Sequence, residues 1–71
     1  MEIILGGFIS ADGRWRVQAV RDRGRSWYRI LDGDRVAADG LVRGEVARVL
    51  REKAGLNLAD LREDTGHPIE D

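Results

Sequence analysis

Apolar and polar residues alternate along the first half of the chain, which is the pattern of half-buried β-strands. The alternation is clearest over residues 14–21 (RWRVQAVR), and Ile, Leu and Phe dominate residues 2–10, with Gly6-Gly7 as a weak point or bulge. Residues 26–31 (SWYRIL) form a third apolar-rich segment, and residues 35–38 are long enough for a short fourth strand. Because a period of two places successive side chains on opposite faces of a sheet, the pattern predicts three or four strands.

Glycine-containing turns separate the predicted strands and determine which residues lie opposite each other. Asp12-Gly13 and Arg23-Gly24 each fit a two-residue hairpin turn, where glycine adopts a positive φ at little cost. Residues 32–34 provide the next turn. The first two turns predict an antiparallel register that pairs Ala11 with Arg14, Ile9 with Arg16, Phe8 with Val17, Asp22 with Arg25, Val20 with Trp27, Gln18 with Arg29, and Val17 with Ile30.

The hydrophobic period changes from two residues to about 3.6 beyond the predicted strands. The apolar stripe of the helix that this period predicts consists of Val42, Val46, Val49 and Leu50. Asp39 is the expected N-cap residue, and Gly55 is the expected residue just after the last turn. A second, short helix is predicted over residues 58–63, with Asn57 as its cap.

These elements predict an α+β domain, an antiparallel β-meander of three or four strands followed by one amphipathic α-helix packed on one sheet face, plus a short C-terminal helical turn. Residues 1–64 are expected to form this single domain and residues 65–71 a flexible acidic tail. The chain has only 71 residues and no cysteine, so we expect a thin core without disulfides. Oligomerisation commonly compensates for so small a core.

The composition is that of a soluble globular protein, with 42% hydrophobic and 35% charged residues. No segment approaches the roughly 20 apolar residues of a membrane-spanning helix. The lack of cysteine favours a reducing compartment, so we expect a cytoplasmic protein that does not contact a membrane. Eleven of the twelve basic residues are arginine, a bias that a GC-rich genome produces, and a bacterial origin is our interpretation.

The predicted registers divide the sheet into two chemically different faces. One face is apolar and is where the helix is expected to pack: Ile4, Phe8, Trp15, Val17, Ala19, Tyr28 and Ile30. The opposite face mixes arginine with apolar residues: Arg14, Arg16, Gln18, Val20, Trp27, Arg29 and Leu31, with Ile3, Leu5 and Ile9 from the first strand. A register shift of one residue would exchange the two faces. Exposed apolar patches usually mark a contact surface.

Charge is concentrated in the middle of the chain. Residues 13–53 carry eleven basic and six acidic side chains, whereas residues 54–71 carry one basic and five acidic side chains. A first hypothesis is therefore nucleic-acid binding, with arginine on phosphates and Trp27 stacked on a base or wedged between bases. The residues expected to bind are Arg14, Arg16, Arg23, Arg25, Trp27 and Arg29. The Arg23-Gly24-Arg25 tip of the hairpin has the chemistry to enter a narrow minor groove.

A sheet of this kind followed by a helix is similar in arrangement to the DNA-binding modules at the start of some phage and transposon recombinases. That resemblance implies a three-stranded sheet lying in the major groove. The resemblance is limited to the order of the elements, because no sequence motif supports it. Similarity of fold alone is weak support for a function.

The alternative hypothesis is a protein-interaction or structural module that forms a homodimer. In this reading the apolar residues of the first strand meet a second copy, through the sheet face or the strand edge, with arginine at the rim. Trp27 is then a packing residue, and the Arg-Gly-Arg tip is a solvated turn. The slightly negative overall charge, −1, favours this alternative, because dedicated nucleic-acid binders are usually basic throughout.

Catalytic and metal-binding chemistry has few candidates in the sequence. The single histidine, His67, lies near the C-terminus among acidic residues, where a tail is expected rather than a metal site. No Ser/His/Asp or Cys/His arrangement is recognisable. Residues 34–45 do not form a calcium loop, because Val36 and Ala38 occupy positions that need oxygen ligands. We therefore expect no enzymatic activity, no metal and no cofactor.

Overall fold

The computed structural model describes residues 1–64 as a five-stranded antiparallel sheet with one helix packed against it. Its elements are β1 (Ile3–Ser10), β2 (Trp15–Asp22), β3 (Arg25–Asp32), β4 (Arg35–Leu41), α1 (Arg43–Ala54), a 3₁₀ turn (Leu58–Asp60) and β5 (Leu61–Glu63). The spatial order of the strands is β4-β3-β2-β1-β5. The predicted α+β class is confirmed. The predicted tail, residues 65–71 with His67, lies outside the described residues.

The hairpin between β2 and β3 has the predicted register. Val20 lies opposite Trp27 and Val17 lies opposite Ile30. Its two-residue turn places both Arg23 and Gly24 at positive φ, 53° and 81°, as a type I′ turn requires. The β1–β2 connection is longer than predicted, since β1 ends at Ser10 and β2 begins at Trp15. Even so, the predicted pairs Phe8–Val17 and Ile9–Arg16 are present.

A bulge in β1 corrects part of the predicted face assignment. The register between β1 and β2 shifts between Ile4 and Gly6, and Gly6 has a φ of 144° that only glycine adopts readily. Ile4 consequently pairs with Val20, on the face away from α1, instead of the helix-covered face. Ile3 was predicted on the face away from α1, but it pairs with Arg21 and therefore lies on the same face as α1. The predicted position of Gly6-Gly7 as a weak point is confirmed, but its effect on Ile3 and Ile4 was missed.

Helix α1 begins and ends at short-range hydrogen bonds. Its N-cap is Val42, whose N–H donates to the side chain of Glu45 at 3.1 Å, so the prediction of Asp39 as N-cap is wrong. Asp39 instead lies within β4, where its side chain accepts a hydrogen bond from Trp27. The C-terminal prediction is confirmed, because Gly55 is left-handed (φ 70°) and its N–H donates to the Arg51 carbonyl at 2.9 Å. Within residues 1–64, no helix has the length and apolar character needed to cross a bilayer.

The hydrophobic core lies between α1 and the sheet. Its buried members are Val17, Ile30, Val46, Val49 and Leu50, and Trp15 and Tyr28 pack against them as predicted. The helix contacts β3 and β4. Phe8, predicted to be covered by the helix, is 42% exposed because it lies on β1, at some distance from the strands that α1 covers.

The C-terminal segment corrects the prediction of a second helix over residues 58–63. Only Leu58–Asp60 is helical, as a single 3₁₀ turn, and Asp60 accepts a hydrogen bond from the Asn57 N–H at 2.8 Å. The next three residues form β5, which pairs with β1 through Leu61–Ser10, Arg62–Ile9 and Glu63–Phe8. Leu61 packs against the core, so side-chain burial and hydrogen bonds to the β1 edge together favour the strand.

Candidate nucleic-acid interface

The sheet face opposite α1, here called the open face, carries most of the predicted binding residues. Cross-strand pairing places these side chains on it: Ile4, Ile9, Arg16, Gln18, Val20, Asp22, Arg25, Trp27, Arg29, Leu31, Val36 and Arg62. Val20 is fully buried, although it is not part of the core beneath α1. The open face therefore includes locally well-packed surface, centred on the Ile4–Val20–Trp27 row of cross-strand partners.

Trp27 is half-buried on this face, and a hydrogen bond fixes its indole ring. Its Nε1–H donates to Oδ1 of Asp39 at 2.9 Å. The same oxygen accepts the backbone N–H of Gly40 at 2.8 Å, which holds the carboxylate in place. An aromatic ring with its polar edge bonded and part of its surface exposed has the properties of a stacking platform.

Arg29 is occupied by two carboxylates of the same chain. Its side chain is 15% exposed, and its Nη1 and Nη2 groups donate to the two oxygens of Glu2 at 3.1 and 2.9 Å. Its buried Nε lies 3.1 Å from Asp39 Oδ1, at an angle outside that of a hydrogen bond, so this contact is an ion pair. The bonds to Glu2 and the contact with Asp39 raise the pKa of Arg29 above its ordinary value. Its charge is therefore compensated before any ligand arrives.

Asp39 is ionised at neutral pH despite its partial burial. Burial acts to raise the pKa of Asp39, but the contact with Arg29 and the hydrogen bond from the Gly40 N–H outweigh it. The pKa consequently lies below the ordinary aspartate value. Asp39 was predicted only as a helix cap, so its position beside Trp27 was missed. The one sequence signal was the Asp39-Gly40 dipeptide, which interrupts strand periodicity as turns and bulges do.

Arg14 lies away from the open face, so its predicted position is wrong. Its guanidinium donates to the carboxylate of Asp32 at 2.6 and 3.1 Å and lies 5.3 Å from the ring centroid of Trp15. Trp15 and Asp32 are cross-strand partners on the face that packs against α1. Arg14 lies in the β1–β2 connection, where strand alternation no longer determines the direction of a side chain. The hydrogen bond to Asp32 raises the pKa of Arg14 and lowers that of Asp32.

Three of the predicted arginines are exposed and make no ion pair with the described residues. Arg16 lies on the open face between its cross-strand partners Ile9 and Leu31. Arg23 and Arg25 flank Gly24 at the tip of the β2–β3 hairpin. These two line an open depression of about 510 Å³, together with Asp22, Trp27, Asp39 and Gly40.

The depression brings together two of the unpaired arginines and the fixed tryptophan, and excludes three other predicted residues. Arg16 lies farther along the sheet, Arg29 is engaged by Glu2 and Asp39 and does not line the depression, and Arg14 is on the other face. Chemically, the depression offers two cations, an aromatic surface and two carboxylates, those of Asp22 and Asp39. No family model, curated protein or solved structure matches this chain.

Proposed function

We propose that this domain is a non-enzymatic binding module for nucleic acid and that it binds single-stranded segments at the depression beside Trp27. The observation that carries the proposal is the indole ring held by Asp39 next to two unpaired arginines, Arg23 and Arg25. In this role Trp27 stacks on a base, while Arg23 and Arg25 contact the flanking phosphates.

A fixed indole ring favours stacking for an energetic reason. Base–aromatic stacking contributes about 1–3 kcal/mol per base to the free energy of binding. If the aromatic side chain becomes ordered only on binding, its loss of conformational entropy reduces this contribution. The Nε1–Oδ1 hydrogen bond already orders Trp27 in the free protein. Less entropy is then lost when a base arrives. An unpaired base is the better ligand because its π-face is accessible.

The phosphate contacts belong to the unpaired arginines. Arg29 has two carboxylates within ion-pair distance, and removing it from them would leave Glu2 and Asp39 without their partner. Arg23 and Arg25 have no such partner among the described residues, so their charges are available to an anionic ligand. In our proposal Arg29 is therefore a positioning residue for Asp39 and Trp27.

Binding is tested by fluorescence anisotropy of a labelled single-stranded oligonucleotide at about 50 mM salt, where charge-driven binding is strong. The Arg23→Ala/Arg25→Ala variant is expected to lose about tenfold or more in affinity. Its plot of log affinity against log salt should also flatten by about 1.4, since each single-strand phosphate contact contributes roughly 0.7.

The matched control is Arg21→Ala/Arg35→Ala, which removes the same charge from exposed arginines outside the depression. This variant should retain most of the affinity. Undetectable binding by the unmodified protein, or equal losses in the two double variants, would refute the proposal.

A second candidate function is self-association, which a separate observation favours. Four large apolar residues of β1 are substantially exposed: Ile3, Ile4, Leu5 and Phe8. Within residues 1–64, β5 pairs with β1 only over Phe8–Ser10, which leaves the outer edge of the first half of β1 without a strand partner. A second copy paired along that edge would cover both the apolar side chains and the backbone groups.

A further inference from the structure

The carboxylate of Asp39 has one oxygen with three partners and one with none. Oδ1 accepts from Trp27 Nε1 and the Gly40 N–H and lies against Arg29 Nε, whereas Oδ2 accepts no hydrogen bond from any residue between 1 and 64. The Asp39 side chain is 45% exposed and lines the depression. An ionised carboxylate oxygen without a donor, beside a stacking platform, is a strong hydrogen-bond acceptor for a ligand.

The two ends of the depression favour different parts of a nucleotide. A phosphate is attracted to the end where Arg23 and Arg25 outnumber Asp22, and it is repelled by the negative charge of Asp39. The base is therefore the part that lies over Trp27 with its edge towards Asp39. A carboxylate only accepts hydrogen bonds, so it favours a base edge that offers N–H groups.

Resting on the proposed function, we infer that Asp39 makes the site prefer guanine, reading its Watson–Crick edge with the oxygen that no protein group uses. Guanine presents two adjacent donors on that edge, N1–H and the N2 amino group. Adenine and cytosine each present one amino group beside an acceptor nitrogen, and thymine and uracil present one N–H between two carbonyl acceptors that the carboxylate repels. Single-stranded bases are commonly read at this edge.

The lowered pKa of Asp39 is consistent with this reading, because the carboxylate stays ionised through the neutral range. Its geometry is also maintained without the ligand. Gly40 and Trp27 hold Oδ1, and Arg29, itself held by Glu2, compensates part of the charge. Preorganised acceptors discriminate well, since a ligand that lacks the donor leaves the acceptor unpaired.

The test compares thymidine oligonucleotides of about five residues whose central base is guanine, adenine, cytosine, thymine or hypoxanthine. For the unmodified protein we expect about tenfold tighter binding of the guanine oligonucleotide than of the thymine one, which is the size of effect of a well-placed polar contact. Hypoxanthine, which keeps N1–H and lacks the N2 amino group, should fall between them.

Asp39→Asn isolates the unpaired oxygen. The asparagine carbonyl replaces Oδ1 as acceptor for Trp27 and Gly40, and its amino group replaces Oδ2 with a donor. The variant should lose the guanine preference and should bind the thymine oligonucleotide at least as tightly as the unmodified protein does. Asp34→Asn is the matched control, because it makes the same substitution at an exposed aspartate outside the depression and leaves Asp39 and its partners intact; the guanine preference of this variant should persist.

The outcomes separate the two proposals. Equal affinity of the unmodified protein for all five oligonucleotides would overturn the guanine preference while nucleic-acid binding stands. Absence of binding to every oligonucleotide would overturn both. A guanine preference that persists in Asp39→Asn would overturn the role of Asp39. If this variant does not fold, as judged by circular dichroism, the comparison of guanine with hypoxanthine on the unmodified protein still tests whether the site reads the N2 amino group.

Discussion

Asp39 connects side chains that lie on separate parts of the sheet. Through one oxygen it contacts Trp27 and Arg29 of β3, and Arg29 continues the connection to Glu2, just before β1. Glu2 and Asp39 are each close to half exposed, and ion pairs with such exposed partners contribute little to stability because water screens them. The main effect of this network is therefore orientational, since it holds an aromatic ring at a surface where a free tryptophan would change rotamer.

Gly7 is the residue at which a single methyl group should damage the sheet most. A Cβ on Gly7 would overlap the carbonyl oxygen of Val17, a backbone atom that cannot move without disturbing the β1–β2 pairing. We expect Gly7→Ala to lower the free energy of unfolding by about 1–3 kcal/mol, as overpacking usually does. Urea denaturation followed by circular dichroism measures the change.

Gly44→Ala is the matched control for that measurement. Gly44 lies in the first turn of α1, and a Cβ there meets nothing within 4 Å. Alanine is also the better helix former, so this variant should be as stable as the unmodified protein or up to about 1 kcal/mol more stable. Equal effects of the two substitutions would contradict the steric role of Gly7.

Among the elements, β5 differs most from what its sequence predicts. It has only three residues, Leu61–Glu63, too few to display a period of two, and its pairing partner β1 is about fifty positions earlier in the chain. Local pattern cannot reveal a strand that forms because a distant edge is available. The hairpins are the opposite case, since the two-residue turn at Arg23-Gly24 determines the β2–β3 register locally.

The same contrast explains which parts of the candidate site were predictable. Trp27 was assigned to the open face from the hairpin register alone, and Arg23 and Arg25 follow from the turn. The roles of Glu2 and Asp39 depend on contacts with Arg29 across 27 and 10 residues of sequence, and no local periodicity marks them. Arg14 was misassigned because strand alternation was extended into the β1–β2 connection, where Asp32 determines its direction.

The contribution of β5 is testable at Leu61. This side chain is half-buried and packs against the core, whereas Leu58, in the preceding 3₁₀ turn, is more exposed and does not pack against it. We expect Leu61→Ala to lower the free energy of unfolding by about 1–2 kcal/mol, the lower part of the range for leucine truncation, because Leu61 is only partly buried. Leu58→Ala should cost less than about 0.5 kcal/mol. Similar denaturation midpoints for the two variants would show that β5 adds little.

On the scale of the whole molecule, the two candidate surfaces are at different sides of the sheet. The depression lies at β3, β4 and the end of β2, whereas the exposed residues Ile3, Ile4 and Leu5 lie on β1, whose outer edge faces away from the depression. The core is small, with only five residues in its buried cluster among the described residues. A domain with so thin a core gains stability when a second copy covers its exposed apolar strand, and such pairing would leave the depression accessible.

Self-association through β1 predicts that the mass of the protein depends on its concentration. Sedimentation velocity from about 5 µM to about 500 µM should show a monomer converting to a dimer, as mass action requires. Leu5→Arg should keep the protein monomeric, because pairing through β1 would then bury two arginine charges, one from each copy, among the apolar side chains of the interface. Val36→Arg is the matched control: Val36 is 56% exposed, against 54% for Leu5, but it lies on β4 at the opposite edge of the sheet. A monomer at every concentration would rule out the dimer, and a dimer disrupted by Val36→Arg but not by Leu5→Arg would move the interface to β4.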